Sequence, residues 1–138
     1  MRVKKLTPVM VVDVIEPCLD FWKRLGFATV AEVPHGDALG FVVLGTDGAE
    51  IMYQTKASVA ADVSDLAGAP YAEHTPLFVE VDDVAAVRTA LTGYELIVVE
   101  RRTFYGATET IVRGPAGQVV TFAQFAAGGA DAGGEGGS

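Results

Sequence analysis

The sequence is poor in cysteine and in basic residues, and each shortage excludes a class of protein. The single cysteine, Cys18, excludes an internal disulfide and fits a reducing compartment, so we expect a cytoplasmic protein. Its apolar neighbours predict a buried, inert thiol rather than a catalytic one. Ten Lys and Arg residues against 18 Asp and Glu give a net charge of −8. This charge argues against nucleic acid as a partner, because phosphate binding needs clustered positive charge.

Long hydrophobic runs are also missing. No apolar run approaches the ~20 residues that a membrane span requires, so we expect no membrane partner. The opening residues, MRVKKLTPVMVVDV, predict a first strand rather than a leader, since Asp13 interrupts the apolar run. The last residues, AAGGADAGGEGGS (126–138), are too rich in Gly and Ala to bury a core and predict a flexible tail.

What the sequence does contain is an internal repeat. A shift of 69 residues aligns the two halves of the 138-residue chain without any insertion. Tyr53 then matches Phe122, and Gly45 matches Gly114. The aligned segments are TDGAEIMYQT with PAGQVVTFAQ, LGFVVLG with TETIVRG, VMVVDVI with FVEVDDV, and LGFATV with YELIVV.

Each half predicts the same order of elements, a strand, a helix and three further strands. The apolar periodicity indicates helices over 16–25 and 83–91. Turns rich in Gly, Asp and Pro separate the strands. The predicted strands are 9–14, 28–33, 39–44 and 50–55 in the first half, and 77–81, 95–101, 108–113 and 118–125 in the second.

We therefore predict an α+β fold of two tandem βαβββ modules, whose curved, mainly antiparallel sheets surround an open groove. One helix covers only one face of each sheet, so the other face must line a shared concave surface. The predicted single domain covers 1–125, and residues 126–138 are the tail. Within the domain, module 1 covers 6–56, a linker 57–74, and module 2 75–125.

The order of these motifs resembles the vicinal oxygen chelate superfamily, which includes glyoxalases, bleomycin-resistance proteins and extradiol dioxygenases. The likeness is carried by the helix in IEPCLDFWKRLGF, the strand-to-helix start FVEVDDVAAV and the last hairpin, RGPAGQVVTFAQ. It spans residues 6–125. The resemblance implies the same fold and a site for a small molecule in the groove.

Enzymes of that superfamily hold one divalent metal through His, Gln or Glu on the first and last strands of each module. The resemblance places these positions at Thr7 and Met52 in module 1, and at Pro76 and Thr121 in module 2. Proline has no side-chain donor, a thioether suits hard ions poorly, and neutral hydroxyls bind weakly. We therefore expect no metal and no other cofactor.

The sequence has only two histidines, His35 and His74. His74 together with Glu50, Glu80 or Glu109 would form a metal site outside the pattern of the superfamily. The alternative is that both histidines are solvated loop residues.

The predicted groove face is mostly apolar with few polar groups, a composition typical of small-molecule pockets. Phe104 and Tyr105, beside Gly106, would stack on a planar ligand, or else only pack within their hairpin. We expect Arg101 and Arg102 to hold this turn by pairing with Glu100 or Glu109. The predicted ligand-binding residues, which would otherwise simply fill the groove, are Thr7, Val9, Phe41, Glu50, Met52, Gln54, Phe78, Glu80, Phe104, Tyr105 and Thr121.

Two classes of function follow. The first is a homodimeric protein that sequesters a hydrophobic or cationic compound such as an antibiotic, as the resemblance implies for metal-free members; the acidic charge suits a cation. The second is a metal-independent isomerase or lyase, with Glu50, Glu80 or Glu109 as a general base whose pKa an apolar pocket raises. The missing ligands disfavour a metal-dependent lyase or dioxygenase.

Overall fold

The computed structural model of the chain describes residues 1–71 and 75–126. The chain divides into two compact units, Met1–Glu73 and His74–Ser138, with one four-stranded sheet in each. This is the predicted α+β fold of two tandem βαβββ modules. His74 and all of the predicted tail except Ala126 lie outside the described residues. Within the described residues, no helix has the length and apolar character that crossing a membrane would need.

The N-terminal unit consists of β1 (Val9–Val12), α1 (Glu16–Arg24), β2 (Ala28–His35), β3 (Ala38–Thr46), β4 (Ala49–Thr55) and α2 (Lys56–Asp62). Its strand order is β1-β4-β3-β2, with β1 parallel to β4 and the other neighbours antiparallel. A 3-10 turn over Ser64–Leu66 follows α2.

Helix α1 packs its apolar stripe against one face of this sheet. Cys18, Phe21 and Trp22 are buried, and the Trp22 indole Nε1 donates to the Tyr53 hydroxyl at 2.8 Å. Gly26 follows the helix with φ +91°, a conformation that favours glycine. The prediction of a buried Cys18 is confirmed, and burial raises the pKa of its thiol to about 11.

The C-terminal unit consists of β5 (Leu77–Glu80), α3 (Val84–Ala90), β6 (Glu95–Arg102), β7 (Ala107–Arg113) and β8 (Val119–Phe125). Its strand order, β5-β8-β7-β6, repeats that of the first sheet. Asp83 caps α3, because its Oδ1 accepts from the backbone N–H of Ala86 at 3.1 Å. Val84 and Val87 bury the inner side of α3.

Helix α2 occupies part of the segment that was predicted only as a linker. Thr55 begins it, since its hydroxyl accepts from the backbone N–H of Ser58 at 3.1 Å. Only Val59 of this helix is buried. A seven-residue helix with one buried side chain has no apolar stripe, so periodicity did not reveal it.

The two faces of each sheet differ as strand alternation predicts. In β4, Ile51 and Tyr53 are buried, whereas Met52 between them is half-buried. In β8, Phe122 is buried and Thr121 half-buried. We call the side of Met52 in the first sheet, and the side of Thr121 in the second, the open faces.

The offset of the internal repeat is not constant. Tyr53 lies opposite Val42, whereas its counterpart Phe122 lies opposite Thr110. Strands β3 and β7 are therefore related by 68 residues instead of 69. The prediction that no insertion is needed is wrong, because the turn between β7 and β8 is one residue longer than the turn between β3 and β4.

The corrected offset changes which residues correspond. Gly45 lies opposite Glu50, and Arg113 lies opposite Val119, so Arg113 and not Gly114 is the counterpart of Gly45. Strand β2 differs from β6 by a further residue, since Ala28 is opposite Gly45 and Glu95 is opposite Arg113. The predicted match of LGFATV with YELIVV is wrong by two residues.

Candidate functional site

The open face of the N-terminal sheet carries the predicted ligand-binding residues of module 1. Val9 lies beside Met52, and Phe41 beside Gln54. The Gln54 amide Nε2 is engaged, because it donates to the Ser58 hydroxyl at the start of α2 (3.1 Å). The residues that this sheet brings to one face are Thr7, Val9, Phe41, Glu50, Met52 and Gln54.

A pocket of about 610 Å³ lies at one end of this sheet. Three of its lining residues interact: the Lys5 ammonium lies 2.8 Å from Glu50 Oε1, and the Thr7 hydroxyl donates to the same oxygen at 3.3 Å. We call this the N-terminal pocket. Its lining residues are Lys5, Leu6, Thr7, Val30, Gly45, Thr46, Asp47, Gly48, Ala49 and Glu50.

The charge on Glu50 is stabilised rather than suppressed. The hydrogen bond from Lys5 lowers the pKa of the Glu50 carboxyl below its ordinary value, and Thr7 adds to the shift. A general base needs a raised pKa to accept a proton near neutral pH. The prediction that an apolar pocket raises the pKa of Glu50 is therefore wrong, because the pocket holds a lysine.

The side chains at the positions implied for a metal do not fit one. The Thr7 hydroxyl is directed to Glu50, and Met52, which lies beside Val9 and not beside Thr7, offers only a thioether. The other unit supplies Pro76, which has no donor, and the hydroxyl of Thr121. Among residues 1–71 and 75–126, no group of three or more His, Cys, Asp and Glu side chains could hold a metal ion.

The predicted off-pattern site cannot be placed as a whole, since His74 lies outside the described residues. His35 is the last residue of β2 and is exposed. Of the carboxylates considered with them, Glu50 is paired with Lys5, and Glu80 is exposed on β5.

The open face of the C-terminal sheet carries the predicted residues of module 2. Phe78, 56% exposed, lies beside Thr121. Two residues further along these strands, and on the same face, a row of four side chains crosses the sheet through β5, β8, β7 and β6. The members of this row are Glu80, Ala123, Glu109 and Arg101.

Glu109 is the most unusual member of this row, because it is an acidic side chain that is 0% exposed. Arg101 Nε and Nη2 lie 3.0 and 2.9 Å from its Oε1. The Tyr105 hydroxyl donates to Oε2. Both carboxylate oxygens therefore have partners, as a buried charge requires. The predicted pairing of Arg101 with Glu109 is confirmed, whereas Glu100 pairs with Arg88 at 3.2 Å.

Aromatic rings surround this cluster at the turn between β6 and β7. The Phe104 and Tyr105 rings meet edge to face with centroids 5.1 Å apart, and Phe125 lies 6.2 Å from Tyr105. Phe104 is fully exposed and Tyr105 is 40% exposed. The adjacent Gly106 has φ +88°, which the tight turn requires. Exposed aromatic rings of this kind are suited to stacking on a planar molecule.

The hydrogen bond to Glu109 raises the pKa of the Tyr105 hydroxyl above its ordinary value, because the carboxylate favours the protonated phenol. The Tyr105 hydroxyl therefore stays protonated and donates to Glu109. We call Arg101, Tyr105, Glu109 and the rings of Phe104 and Phe125 the C-terminal cluster.

Sequence reasoning placed Phe104 and Tyr105 among the ligand-binding residues, considered Glu109 as a metal ligand or general base, and gave Arg101 the structural role of holding the turn. The constant offset of 69 matched Glu109 with Gly40, which belongs to the helix side of its sheet. Its actual counterpart is Phe41 on the open face. Alternation within β7 was the signal that would have found it, since Glu109 and Ile111 share a face.

Comparisons with known proteins bear on the fold. No family model matches the sequence, and no curated protein matches it. A glyoxalase/bleomycin resistance protein/dioxygenase from Nocardioides superposes with a TM-score of 0.68 at 16% identity, over 91% of this chain and 85% of that one. A family enzyme of the same description from Burkholderia phytofirmans PsJN gives 0.69 at 16%, over 87% and 97%.

TioX from Micromonospora sp. ML1 superposes with a TM-score of 0.70 at 17% identity, over 90% of this chain and all of that one. The chain has the fold of the vicinal oxygen chelate superfamily. Matches at this level of identity establish the fold and do not determine the activity, which depends on the side chains in the site. Those side chains depart from the superfamily's metal-binding pattern at all four implied positions.

Proposed function

We propose that this protein binds a planar, largely apolar small molecule on the open face of its C-terminal sheet, without altering it and without a metal. The observation that carries this proposal is the buried Glu109, whose two oxygens hold Arg101 and Tyr105 beside exposed rings. Apolar walls with a few oriented polar groups are the usual composition of a ligand site. Pre-organised side chains lose little freedom on binding, which favours affinity.

The state of the carboxylates favours binding over catalysis. Glu109 is bonded to Arg101 and Tyr105 through both oxygens, so neither oxygen is directed at a substrate. Glu50 has a lowered pKa because of Lys5, which makes it a weaker base. Glu80 is exposed on the edge strand β5. An isomerase or lyase would need one of these groups free and poised near neutral pH.

The descriptions of two structural neighbours name bleomycin resistance. This supports an antibiotic or a related planar natural product as the compound, sequestered rather than converted. The homodimer implied by the resemblance belongs to the same proposal, and light scattering at micromolar concentration would test it. If the protein is a monomer, a ligand site lined by two protomers is no longer part of the proposal, but a site at the C-terminal cluster remains.

A binding titration followed by mass spectrometry tests the proposal. The protein is titrated with a panel of planar aromatic antibiotics, and the compound is then recovered and weighed. We expect saturable binding of an unaltered compound, weakened about tenfold by Phe104→Ala, since stacking on one ring contributes ~1 kcal/mol or more. Leu66→Ala, which removes an apolar side chain 42% exposed in the other unit, is the matched control. A product of altered mass would favour the enzyme instead.

A further inference from the structure

The guanidinium of Arg101 uses only part of its hydrogen-bonding capacity. Its Nε and Nη2 both approach a single oxygen, Glu109 Oε1, at 3.0 and 2.9 Å. Arginine carries five N–H donors in a rigid fork, so the Nη1 edge keeps its donors. Within residues 1–71 and 75–126 no other acceptor binds this guanidinium, and the side chain is 51% exposed. Donors are therefore held in a fixed direction next to a stacking surface.

Building on the proposed function, we infer that the ligand carries an uncharged hydrogen-bond acceptor, such as a ring carbonyl, which Arg101 binds while the ring system stacks on Phe104 and Tyr105. Glu109 then acts as a positioning residue. It holds the guanidinium and the phenol at defined angles and does not contact the ligand.

The charges in the row select a neutral acceptor over an ion. Glu109 neutralises Arg101 at close range, and the chain carries a net charge of −8, so an anionic ligand gains little from the pair and is repelled by the rest. A cationic ligand would meet only N–H donors of the guanidinium next to the rings and would find no acceptor on that group. The nearest further carboxylate in the row, Glu80, lies two strands from Glu109, or ~10 Å. The donors at this edge thus suit a neutral acceptor better than the cation that composition alone favours.

Three planar tricyclic probes separate these possibilities. Acridone carries a neutral carbonyl, 9-aminoacridinium a positive charge, and 9-anthroate a negative charge. Fluorescence titration of the intact protein should give the tightest binding for acridone. Arg101→Lys keeps a cation beside Glu109 but loses the planar fork, so it should weaken acridone binding about tenfold and leave 9-aminoacridinium within about twofold.

The positioning role has its own measurement. In Glu109→Gln, the Tyr105 phenol should titrate at lower pH than in the wild type, as followed by its ultraviolet absorbance against a Tyr105→Phe reference. Acridone binding should weaken in the same variant. If Glu109→Gln fails to fold, the comparison of the three probes on the wild-type protein still decides the ligand class.

Two outcomes would overturn the inference and remain distinguishable. If 9-aminoacridinium binds more tightly than acridone, or if Arg101→Lys leaves acridone binding unchanged, the acceptor is not recognised by Arg101, yet the stacking site stands. If none of the three probes binds the wild-type protein, the proposed function falls together with the inference.

Discussion

The two sheets repeat one backbone but carry different chemistry at equivalent positions. In the N-terminal sheet one row of the open face reads Val11, Gln54, Phe41 and Val33. The equivalent row of the C-terminal sheet reads Glu80, Ala123, Glu109 and Arg101. The row is mostly apolar in the first sheet, whereas in the second sheet it contains the ion pair between Arg101 and the buried Glu109. The backbone does not require this pair, because its twin does without one.

At the other end of each sheet, the first unit carries a carboxylate where the second carries an apolar residue. Glu50 lies in the N-terminal pocket with Lys5, whereas its counterpart in the second sheet is Val119. The engaged carboxylates Glu50 and Glu109 thus lie at opposite ends of the strands in the two units. The Lys5 and Glu50 side chains are 61% and 26% exposed, whereas Glu109 is 0% exposed beneath a half-exposed Arg101 and is flanked by rings. The planar ligand that we propose is better suited to the second environment, because rings flank it.

The largest expected effect comes from breaking the buried pair. Arg101→Ala leaves the Glu109 charge without its cation in an unexposed position, so we expect the free energy of unfolding to fall by about 3 kcal/mol. Val33→Ala, at the equivalent position of the first sheet and 53% exposed, should lower it by under about 1 kcal/mol. Urea unfolding of both variants makes the comparison. Equal losses would mean that the ion pair does not distinguish the two sheets.

A smaller effect is expected on the helix sides of the sheets. Tyr53→Phe places in the first unit the residue that its counterpart, Phe122, occupies in the second. The change removes the acceptor of the buried Trp22 indole N–H, so we expect a loss of about 1–2 kcal/mol by urea unfolding. Phe27→Leu, which keeps this hydrogen bond and removes one edge-to-face contact with Trp22, is the control for packing. If Tyr53→Phe leaves the free energy of unfolding unchanged, the hydrogen bond contributes nothing to stability.

The smallest effects are pH-dependent and have opposite signs in the two units. The Glu50 pKa is lowered, so its stabilisation is present above the ordinary glutamate pKa and is lost as pH falls through the lowered value. The Tyr105 pKa is raised, so its stabilisation is present below the ordinary tyrosine pKa and is lost as pH rises through the raised value. NMR titration of the Glu50 carboxyl in the wild type and in Lys5→Ala tests the acid side of the pH dependence. NMR titration of the phenols in the wild type and in Tyr105→Phe tests the alkaline side. If a variant leaves the corresponding titration unchanged, the cause that we give for that pKa shift is wrong.

The sequence predicted the elements and their order well, because strand alternation and helix periodicity are local signals. The prediction failed at features that depend on a single residue of register. One extra residue in the turn after β7 shifted the repeat and matched Glu109 with a glycine. A one-residue slip reverses which face a side chain occupies, so the constant offset could not pair Glu109 with Phe41, its counterpart on the open face.

Electrostatic context was the other limit of sequence reasoning. Glu50 was expected in an apolar pocket, but Lys5 reaches it across more than 40 positions of the chain. Such long-range pairs leave no mark in composition or periodicity. The pairing of Arg101 with Glu109 was predictable, since both belong to one hairpin.

Amide NMR of the isotope-labelled protein titrated with acridone most directly tests whether ligand recognition belongs to the second sheet. We expect the largest shift changes at residues 98–111 and 121–125, saturating with one affinity, and little change around the N-terminal pocket. Changes concentrated at residues 5–7 and 45–50 would contradict the account.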